Sequence, residues 1–412
     1  MSTPPHAAPG PSRRAALGAA LALAFAAAVS LGLARFSYAL LLPPMRADLG
    51  WSYVTGGAMN TLNAAGYLLG ALLAPQVLAR LDARTWMLAG GFGAALLLAA
   101  HGLARGDAAL GLLRLASGVA SAASFVGGGL LAARLAGAPP ERAGLLRGIY
   151  YGGVGLGIVG SALLVPALAG AQPAGWPRAW LGLGAAALLA TLLTLAGTRT
   201  LVAPPARSAV RVRFDARRFL PALAGYALFG VGYIGYMTFV ISLLREQGQT
   251  AAVTTAFYVL LGAAVVASPW LWAGLLQRHR SGRPLAQLNA LLALATVLPV
   301  LWPAQPGVFL SGLLFGAVFL SVVASTTALV RHNCAPAAWP AGIAAFTIVF
   351  AGGQIVGPVL VGLVVDRAAP GGGADAAGGL ELGFVVSAAA LALGSALAAL
   401  QRPLPAPAQP AA

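Results

Sequence analysis

Two arginines lie inside long apolar stretches of the chain, where a charged side chain is costly. Arg35 falls about eight residues before the end of the first stretch, and Arg114 about six residues after the start of the fourth. An arginine at the centre of a membrane-spanning helix costs about 2.5 to 3.5 kcal/mol on insertion scales, so it normally faces a cavity or a partner. No aspartate or glutamate lies deep in any apolar stretch, and a guanidinium fork binds carboxylate or phosphate. The pattern predicts that Arg35 and Arg114 attract and orient a small anion.

Each of these arginines also has a structural interpretation. The long side chain of Arg35 can extend to the nearby membrane interface while its stem stays in the apolar region. Arg114 can donate hydrogen bonds to backbone carbonyls and so hold neighbouring helices together. Replacing each arginine with glutamine separates the two interpretations, because only the anion-binding interpretation predicts a loss of uptake.

Other polar and aromatic residues within the apolar stretches are secondary candidates for contacts with the same small molecule. Hydrogen bonds to a neighbouring helix are the ordinary use of such polar groups in a bilayer. Tyr233 lies 198 positions after Arg35, which suggests a pocket with charge from one half and phenol groups from the other. The polar candidates are Asn60, Asn63, Tyr67, Tyr226, Tyr233, Thr238 and Gln354. Phe315 and Phe319, spaced i and i+4, are candidates for an apolar wall, with core packing or lipid contact as the alternative.

Several kinds of chemistry lack the residues that they need. One cysteine, Cys334, cannot form an internal disulfide, and four scattered histidines lack metal-ligand spacing, so we expect no metal and no cofactor. The run from Gly155 to Gly160 matches G-x-G-x-x-G, but it has no strand before it and is better interpreted as close helix packing. No phosphate-binding loop with lysine exists, since the chain has no lysine. Neither an enzyme nor a nucleotide-driven pump is expected.

The composition is that of a membrane protein. The 412 residues are 59% hydrophobic and 8% charged, against roughly 25% charged in soluble domains, and the mean hydropathy is +0.85. The formal net charge is +16, yet all 25 basic residues are arginine in a chain rich in alanine, glycine and proline. This bias is typical of a GC-rich bacterial genome, so the charge does not indicate nucleic acid as a partner.

Twelve apolar runs are long enough to cross a bilayer at about 20 residues per helix. They fall near 16–43, 53–78, 85–104, 108–133, 149–171, 180–198, 219–244, 251–276, 285–303, 307–330, 341–365 and 382–400. The first run follows Arg13 and Arg14, and without a convincing cleavage site we interpret it as a retained helix. The predicted organisation is a tail at 1–14, a six-helix bundle at 15–198, a linker at 199–218, a second bundle at 219–400 and a tail at 401–412.

The distribution of arginines predicts the orientation in the membrane. Basic residues accumulate in short cytoplasmic loops. With the N-terminus inside, 18 of the 25 arginines fall in cytoplasmic segments and five on the other side. We therefore predict a multi-pass protein of the bacterial inner membrane with both termini in the cytoplasm.

A weak internal repeat and paired small residues suggest two related bundles with movable contacts. Four residues recur 198 or 199 positions later: Arg46, Asp48, Gly50 and Arg80 as Arg245, Glu246, Gly248 and Arg278. Glycines spaced by four allow close helix contacts. Proline leaves a carbonyl of the preceding turn without its helical hydrogen bond, which permits a kink. The predicted packing and gating residues of this kind are Gly70, Gly153, Gly157, Gly353, Gly357 and Pro358.

Several stretches resemble the YbfB/YjiJ-type branch of the major facilitator superfamily. They are GLARFSYALLLPPM (32–45), GYLLGALLA (66–74), GVGLGI (153–158), YALFGVGYIGYMTF (226–239) and GGQIVGPVLVGLVVD (352–366). The resemblance covers nearly all twelve runs. It implies an all-α membrane fold of two pseudo-symmetric six-helix bundles, with helices 1, 4, 7 and 10 around a central cavity.

Two signatures of that superfamily carry over to this sequence. RLASGVASA around Arg114 resembles its intramembrane arginine motif. The loop after helix 2 keeps Gly70, Arg80, Asp82 and Arg84, but the usual aspartate four residues after the glycine is replaced by alanine. The resemblance implies a charge lock between helices at this loop, and here only Asp82 is available for it.

The predicted function is secondary active or facilitative transport of a small organic solute, most simply an anion, by alternating access at a midplane cavity. The expected partners are the small-molecule substrate and the lipid bilayer, with no nucleic acid, and the resemblance suggests that a monomer suffices. A coupling ion, H⁺ or Na⁺, is left open because no buried acid offers a proton relay. His101 is the remaining titrating candidate, with an interfacial position as its alternative. The alternative function is efflux of amphipathic or cationic compounds, which predicts acids in the cavity.

Overall fold

The fold is all-helical. The computed structural model describes residues 13–136, 140–170, 172–201, 214–369 and 376–404. Within these ranges, twelve helices are long and apolar enough to cross a membrane. In chain order, α1 to α12 are Arg13–Leu49, Tyr53–Leu78, Ala83–His101, Asp107–Leu135, Ala143–Ala169, Trp176–Gly197, Ala216–Glu246, Ala251–Arg278, Arg283–Leu301, Gln305–Asn333, Pro336–Ala368 and Ala376–Ala399.

All twelve predicted spans are confirmed as helices, but several begin earlier or end later than the apolar runs. Hydropathy follows side chains, whereas the helix follows its backbone hydrogen bonds. The run predicted at 149–171 belongs to a helix that extends back through Ala143 to Pro140, because Arg147 interrupts the apolar residues without interrupting the helix. The run predicted at 382–400 begins at Ala376 because Glu381 does the same. The predicted tails and linker lie largely outside the described residues.

Helix α1 also departs from its prediction. It continues through Pro43 and Pro44 to Leu49, so Arg46 lies in its last turn and not in a loop. Its middle, Ala28–Phe36, is π-helical, with every residue buried. π-helical turns are rare and occur frequently at functional sites. Here the wider turn carries the predicted site residue Arg35.

The two bundles are built on the same internal contact. In the N-terminal bundle, a Cβ atom added to Gly153 or Gly157 of α5 would overlap the carbonyl of Ala24 or Ala28 in α1. In the C-terminal bundle, a Cβ at Gly353 or Gly357 of α11 would overlap an α7 carbonyl in the same way. The predicted glycine pairs therefore bring α5 against α1 and α11 against α7, which are equivalent positions in the two bundles.

Small residues also line the contact between the bundles, where α2 faces α11 and α5 faces α8. Gly57 approaches the carbonyl of Pro358, so the predicted kink residue contacts the other bundle. Gly362 lies against the backbone of Tyr53, and Gly155 lies against Gly262. Helices in such close backbone contact can slide against each other with little steric obstruction from side chains.

Among the described residues, the hydrogen bonds that join the bundles lie on one side of the protein. We call the side where α6 ends and α7 begins the linker face, and the other side the opposite face. Seven hydrogen bonds between the bundles join described residues, and all lie in the half of the interface nearer the opposite face. Nearer the linker face, Tyr151 of α5 is 41% exposed. The structure is closed at the opposite face.

Candidate functional site

Arg35 lies between the bundles with an incomplete set of partners. The residue is 4% exposed, and its guanidinium donates from Nη2 to Oε1 of Gln354 in α11, at 2.6 Å. The charge lies 5.5 Å from the centroid of the Tyr67 ring. Its Nε is buried and has no hydrogen-bond partner. Among the described residues, no carboxylate bonds to this guanidinium, so the buried cation carries an unused donor.

Gln354 connects Arg35 to the C-terminal bundle. Its Nε2 donates to the hydroxyl of Tyr233 at 2.6 Å. Arg35, Gln354 and Tyr233 thus form one hydrogen-bonded series across the interface, which we call the Arg35 chain. The structure brings together Arg35, Tyr67, Tyr233 and Gln354, four of the residues selected from the sequence.

Arg114 is close to Arg35 but fully engaged by its own bundle. It is 1% exposed, lies 4.4 Å from the centroid of the Tyr38 ring, and donates to the carbonyls of Met59 and Ala34 at 3.3 and 3.2 Å. Its Nη2 donates to Oδ1 of Asn60 at 3.1 Å. These contacts match the structural interpretation, in which Arg114 holds carbonyls of α1 and α2.

A second series of hydrogen bonds crosses the interface beside the first. Nδ2 of Asn60 donates to Oγ1 of Thr238 at 2.7 Å, and Thr238 in turn donates to the carbonyl of Ile234. We call Arg114, Asn60 and Thr238 the Arg114 chain. Asn63 stays within its bundle, where Nδ2 donates to the Arg114 carbonyl and to Oγ of Ser117.

Aromatic rings border the Arg35 chain on the side of the C-terminal bundle. Tyr226, Phe229 and Tyr233 of α7 and Phe350 of α11 form an aromatic layer of nearly parallel rings. The centroid of Phe350 lies 4.9, 5.3 and 5.5 Å from those three, with interplanar angles of 20°, 7° and 19°. The sequence interpretation selected the two tyrosines and missed both phenylalanines, because phenylalanine is ordinary in any apolar helix.

Phe315 and Phe319 extend this aromatic region toward α10. Both are almost completely buried, at 0% and 2% exposed, so neither faces lipid. Phe315 stacks on Tyr236 with centroids 4.0 Å apart. Phe319 packs edge-on against Phe36 of α1 at 5.6 Å, across the bundle interface. They form an internal wall between α1, α7 and α10.

The opposite face is sealed by acids that the sequence interpretation did not select. The carboxylate of Asp366 in α11 accepts hydrogen bonds from the backbone N–H groups of Tyr53 and Val54, at 2.9 and 2.8 Å. These N–H groups belong to the first turn of α2, where no partner exists within the helix. The Tyr53 hydroxyl donates to Glu246, and Arg46 lies 3.3 Å from the Tyr53 ring centroid. The sequence signal that could have indicated Asp366 is an acidic residue at the end of a span, within the family-like stretch 352–366.

The loop between α2 and α3 is held by local contacts. Asp82 caps α3 by accepting from the backbone of Arg84 and Thr85 and from the Thr85 hydroxyl. Partial burial of Asp82 opposes ionisation, but these hydrogen bonds outweigh it and lower the pKa of the carboxyl. Arg84 bonds Leu195 and Thr198 at the end of α6. Arg80 is exposed at the linker face.

The remaining sequence candidates take structural positions. A Cβ at Gly70 would meet Ala122 of α4 at 2.8 Å, so this glycine permits close packing of α2 on α4. His101 is buried, with its ring stacked on Trp180 at 4.4 Å, and does not lie at the surface of the bundle. Among the described residues, no three metal-ligating side chains group closely enough to hold an ion.

The fold matches solved transporters over nearly its whole length. A bacterial homologue of the human lysosomal transporter Spinster, in inward-facing and unoccupied conformation, superposes with a TM-score of 0.73 at 16% identity, covering 95% of this chain and 97% of that one. The nucleoside transporter NupG gives 0.68 at 15% identity, covering 92% and 98%. At such identities the likeness concerns the fold. No curated protein matches the chain in sequence.

The family assignment comes from the sequence. A family model described as uncharacterised MFS-type transporter YbfB matches residues 27–399. This match confirms the predicted branch of the major facilitator superfamily and the fold of two six-helix bundles. The family and fold are those of transporters embedded in a membrane and acting on small molecules, not of enzymes. The chain belongs to the YbfB family of MFS-type membrane transporters.

Proposed function

We propose that the protein is a secondary active or facilitative carrier of a small organic anion, which binds at Arg35 and crosses the membrane by alternating access. The observation that carries the proposal is the state of this guanidinium. It lies at the bundle interface with Nε unpartnered and only the neutral amide of Gln354 in contact with its Nη2. A buried charge without a counter-ion is unfavourable, so an anion that supplies the missing acceptor gains both charge pairing and hydrogen bonds.

The arrangement of the interface supports alternating access. The opposite-face seal depends on hydrogen bonds that Asp366 and Glu246 accept from Tyr53 and Val54, and the Arg35 chain and Arg114 chain lie behind it. An anion arriving from the linker face would replace Gln354 at Arg35 and so loosen the contact between the bundles. In the arginine-based orientation the linker face is cytoplasmic, and the protein lies in a bacterial inner membrane with both termini inside.

Arg114 has a positioning role in this proposal. Its donors are committed to Met59, Ala34 and Asn60, and one of these carbonyls belongs to the residue before Arg35. Arg114 therefore fixes the backbone that carries Arg35. The anion site thus has one guanidinium with an unpartnered nitrogen, that of Arg35, with Tyr67, Tyr233 and Gln354 as its hydrogen-bonding and aromatic surroundings.

Efflux of amphipathic or cationic compounds is the second candidate function. The aromatic layer favours it, because aromatic faces attract cations and apolar ring systems. The nearby charge opposes it, since Arg35 repels a cation at the end of that layer. Glu246 and Asp366, the described acids that bond across the bundle interface, are both committed to the seal.

A thermal-shift screen of the purified protein tests the anion site. Benzoate, succinate, phosphate and a cationic dye are compared on wild type and on the Arg35→Gln variant. A ligand at 100 times its Kd stabilises the folded state by about 2.7 kcal/mol. We expect at least one anion to raise the Tm of wild type, and the shift to be lost in Arg35→Gln.

The matched control is Arg105→Gln, which removes one exposed loop arginine from the opposite face and should keep the full shift. An anion-induced shift that survives in Arg35→Gln places the anion elsewhere and contradicts the proposed site. A shift with the cationic dye alone, unchanged in the variant, supports the efflux function in its place.

A further inference from the structure

The residues around Arg35 indicate which class of anion fits the site. Arg35 is the guanidinium there with a nitrogen free to bind a ligand, because each nitrogen of Arg114 already donates to a protein acceptor. The free donors of Arg35 suit one carboxylate group. A second carboxylate on the same molecule would find no second guanidinium with a free nitrogen, and this favours a ligand with a single carboxylate.

The surroundings of the guanidinium are planar and aromatic. Gln354 follows Phe350 by one helical turn, so the aromatic layer ends where the Arg35 chain begins. Tyr67 of α2 lies on the other bundle, 5.5 Å from the guanidinium. Phe350 is the member of the layer that is partly exposed, whereas the three α7 rings are buried. A ligand at Arg35 would therefore meet Phe350 and Tyr67 first.

We propose that the transported anion is a planar aromatic monocarboxylate, whose carboxylate pairs with Arg35 while its ring packs against Phe350 and Tyr67. The inference rests on the proposed anion site and adds the shape and charge of the molecule. The carboxylate oxygens take the place of Oε1 of Gln354 at Nη2 and complete the free Nε. The ring joins the parallel rings of the aromatic layer, a geometry that adds to simple burial.

The test compares two monocarboxylates of equal charge and similar size, benzoate and cyclohexanecarboxylate. Binding to the full-length protein is measured by calorimetry in detergent, with benzamide as the neutral analogue and succinate as the dianion. Aromatic pairs are worth about threefold to tenfold in affinity. We expect benzoate to bind tighter than cyclohexanecarboxylate by that factor, with benzamide and succinate weaker than both.

Variants at Phe350 assign the preference to the aromatic layer. Phe350→Leu should bring the two monocarboxylates to nearly equal affinity, while Phe350→Tyr, which keeps a ring, should retain the preference. Phe92→Leu is the matched control, because this phenylalanine lies on α3 with 36% of its surface exposed, away from the site. It should leave both affinities unchanged.

The outcomes separate this inference from the function on which it depends. The inference of an aromatic monocarboxylate is overturned by any of three results. These are equal affinities of the two monocarboxylates in wild type, an equal effect of Phe350→Leu on both, or tighter binding of succinate. In each case binding that still requires Arg35 leaves the anion site intact. If no anion binds, or if Arg35→Gln binds benzoate as wild type does, the anion site itself is overturned.

Discussion

Replacing Asp366 with alanine is expected to open the opposite face and to raise the labelling rate of a cysteine buried behind the seal about 30-fold. A hydrogen bond to a charged group contributes about 1.5 to 3 kcal/mol. The two bonds from Tyr53 and Val54 are partly exposed, so together they contribute about 2 kcal/mol after screening by solvent. They exist only while the bundles touch, and about 2 kcal/mol corresponds to about 30-fold in the closed-to-open equilibrium.

Single-cysteine labelling measures this shift. The native Cys334 is first replaced with serine, and Ser242→Cys then places a thiol at the opposite face. Ser242 is 2% exposed and lines a cleft with Pro43 and Glu246. The rate of reaction with a membrane-impermeant maleimide is compared with and without Asp366→Ala.

Asp107→Ala provides the control for loss of an acid on the same face. Asp107 accepts a hydrogen bond from Nε1 of Trp51 within the N-terminal bundle, so its loss breaks no contact between bundles. An unchanged labelling rate in Asp366→Ala, or an equal rise in Asp107→Ala, contradicts the assignment of the seal to Asp366.

Gly353→Val is expected to destabilise the fold by about 3 kcal/mol or more. A Cβ at Gly353 would overlap the carbonyl of Ala227 and approach the backbone nitrogen of Val231 at 2.9 Å. Overpacking among side chains costs about 1 to 3 kcal/mol. Here the obstructing atoms are helix backbone, which cannot change rotamer, so the effect lies at or above the upper end. The apparent Tm of the purified variant and its yield of monodisperse protein measure the loss.

The neighbouring glycine is the control for this substitution. Gly352 lies on the exposed side of the same helix, and a Cβ there has no neighbour within 4 Å. Gly352→Val should retain nearly the wild-type Tm. Gly157→Val and Gly160→Val form the equivalent pair in the N-terminal bundle, since Gly160 is also unobstructed. Equal Tm values within either pair would contradict the close backbone packing.

The number of helices and their order follow from hydropathy, because each span must be apolar over the thickness of a bilayer. Their ends do not follow, since charged residues such as Arg147 and Glu381 continue a helix beyond its apolar part. Helix α1 shows the same limit. Its apolar run was predicted to end near 43, but the helix continues through Pro43 and Pro44 to Leu49.

The site could be predicted only in part. The cost of a buried charge singled out Arg35 and Arg114, and the structure places them side by side. Their different partners depend on the rotation of each helix about its axis, which a nearly uniform apolar sequence does not encode. The same ambiguity concealed Phe350 among many apolar residues. Asp366 could not be singled out in the same way, because an acid at the end of a span carries little burial cost.

In the proposed mechanism, Arg35 holds the transported anion. The most direct measurement is counterflow in proteoliposomes, using radiolabelled 4-hydroxybenzoate, succinate and phosphate, with protein-free liposomes as the leak control. A charged hydrogen-bonded contact of about 3 kcal/mol corresponds to about 100-fold in rate. We predict counterflow of at least one of these anions by wild type and by Arg105→Gln, and a loss of about 100-fold in Arg35→Gln. Counterflow at the wild-type rate in Arg35→Gln, or movement of a cationic dye with none of the three anions, would contradict the claim.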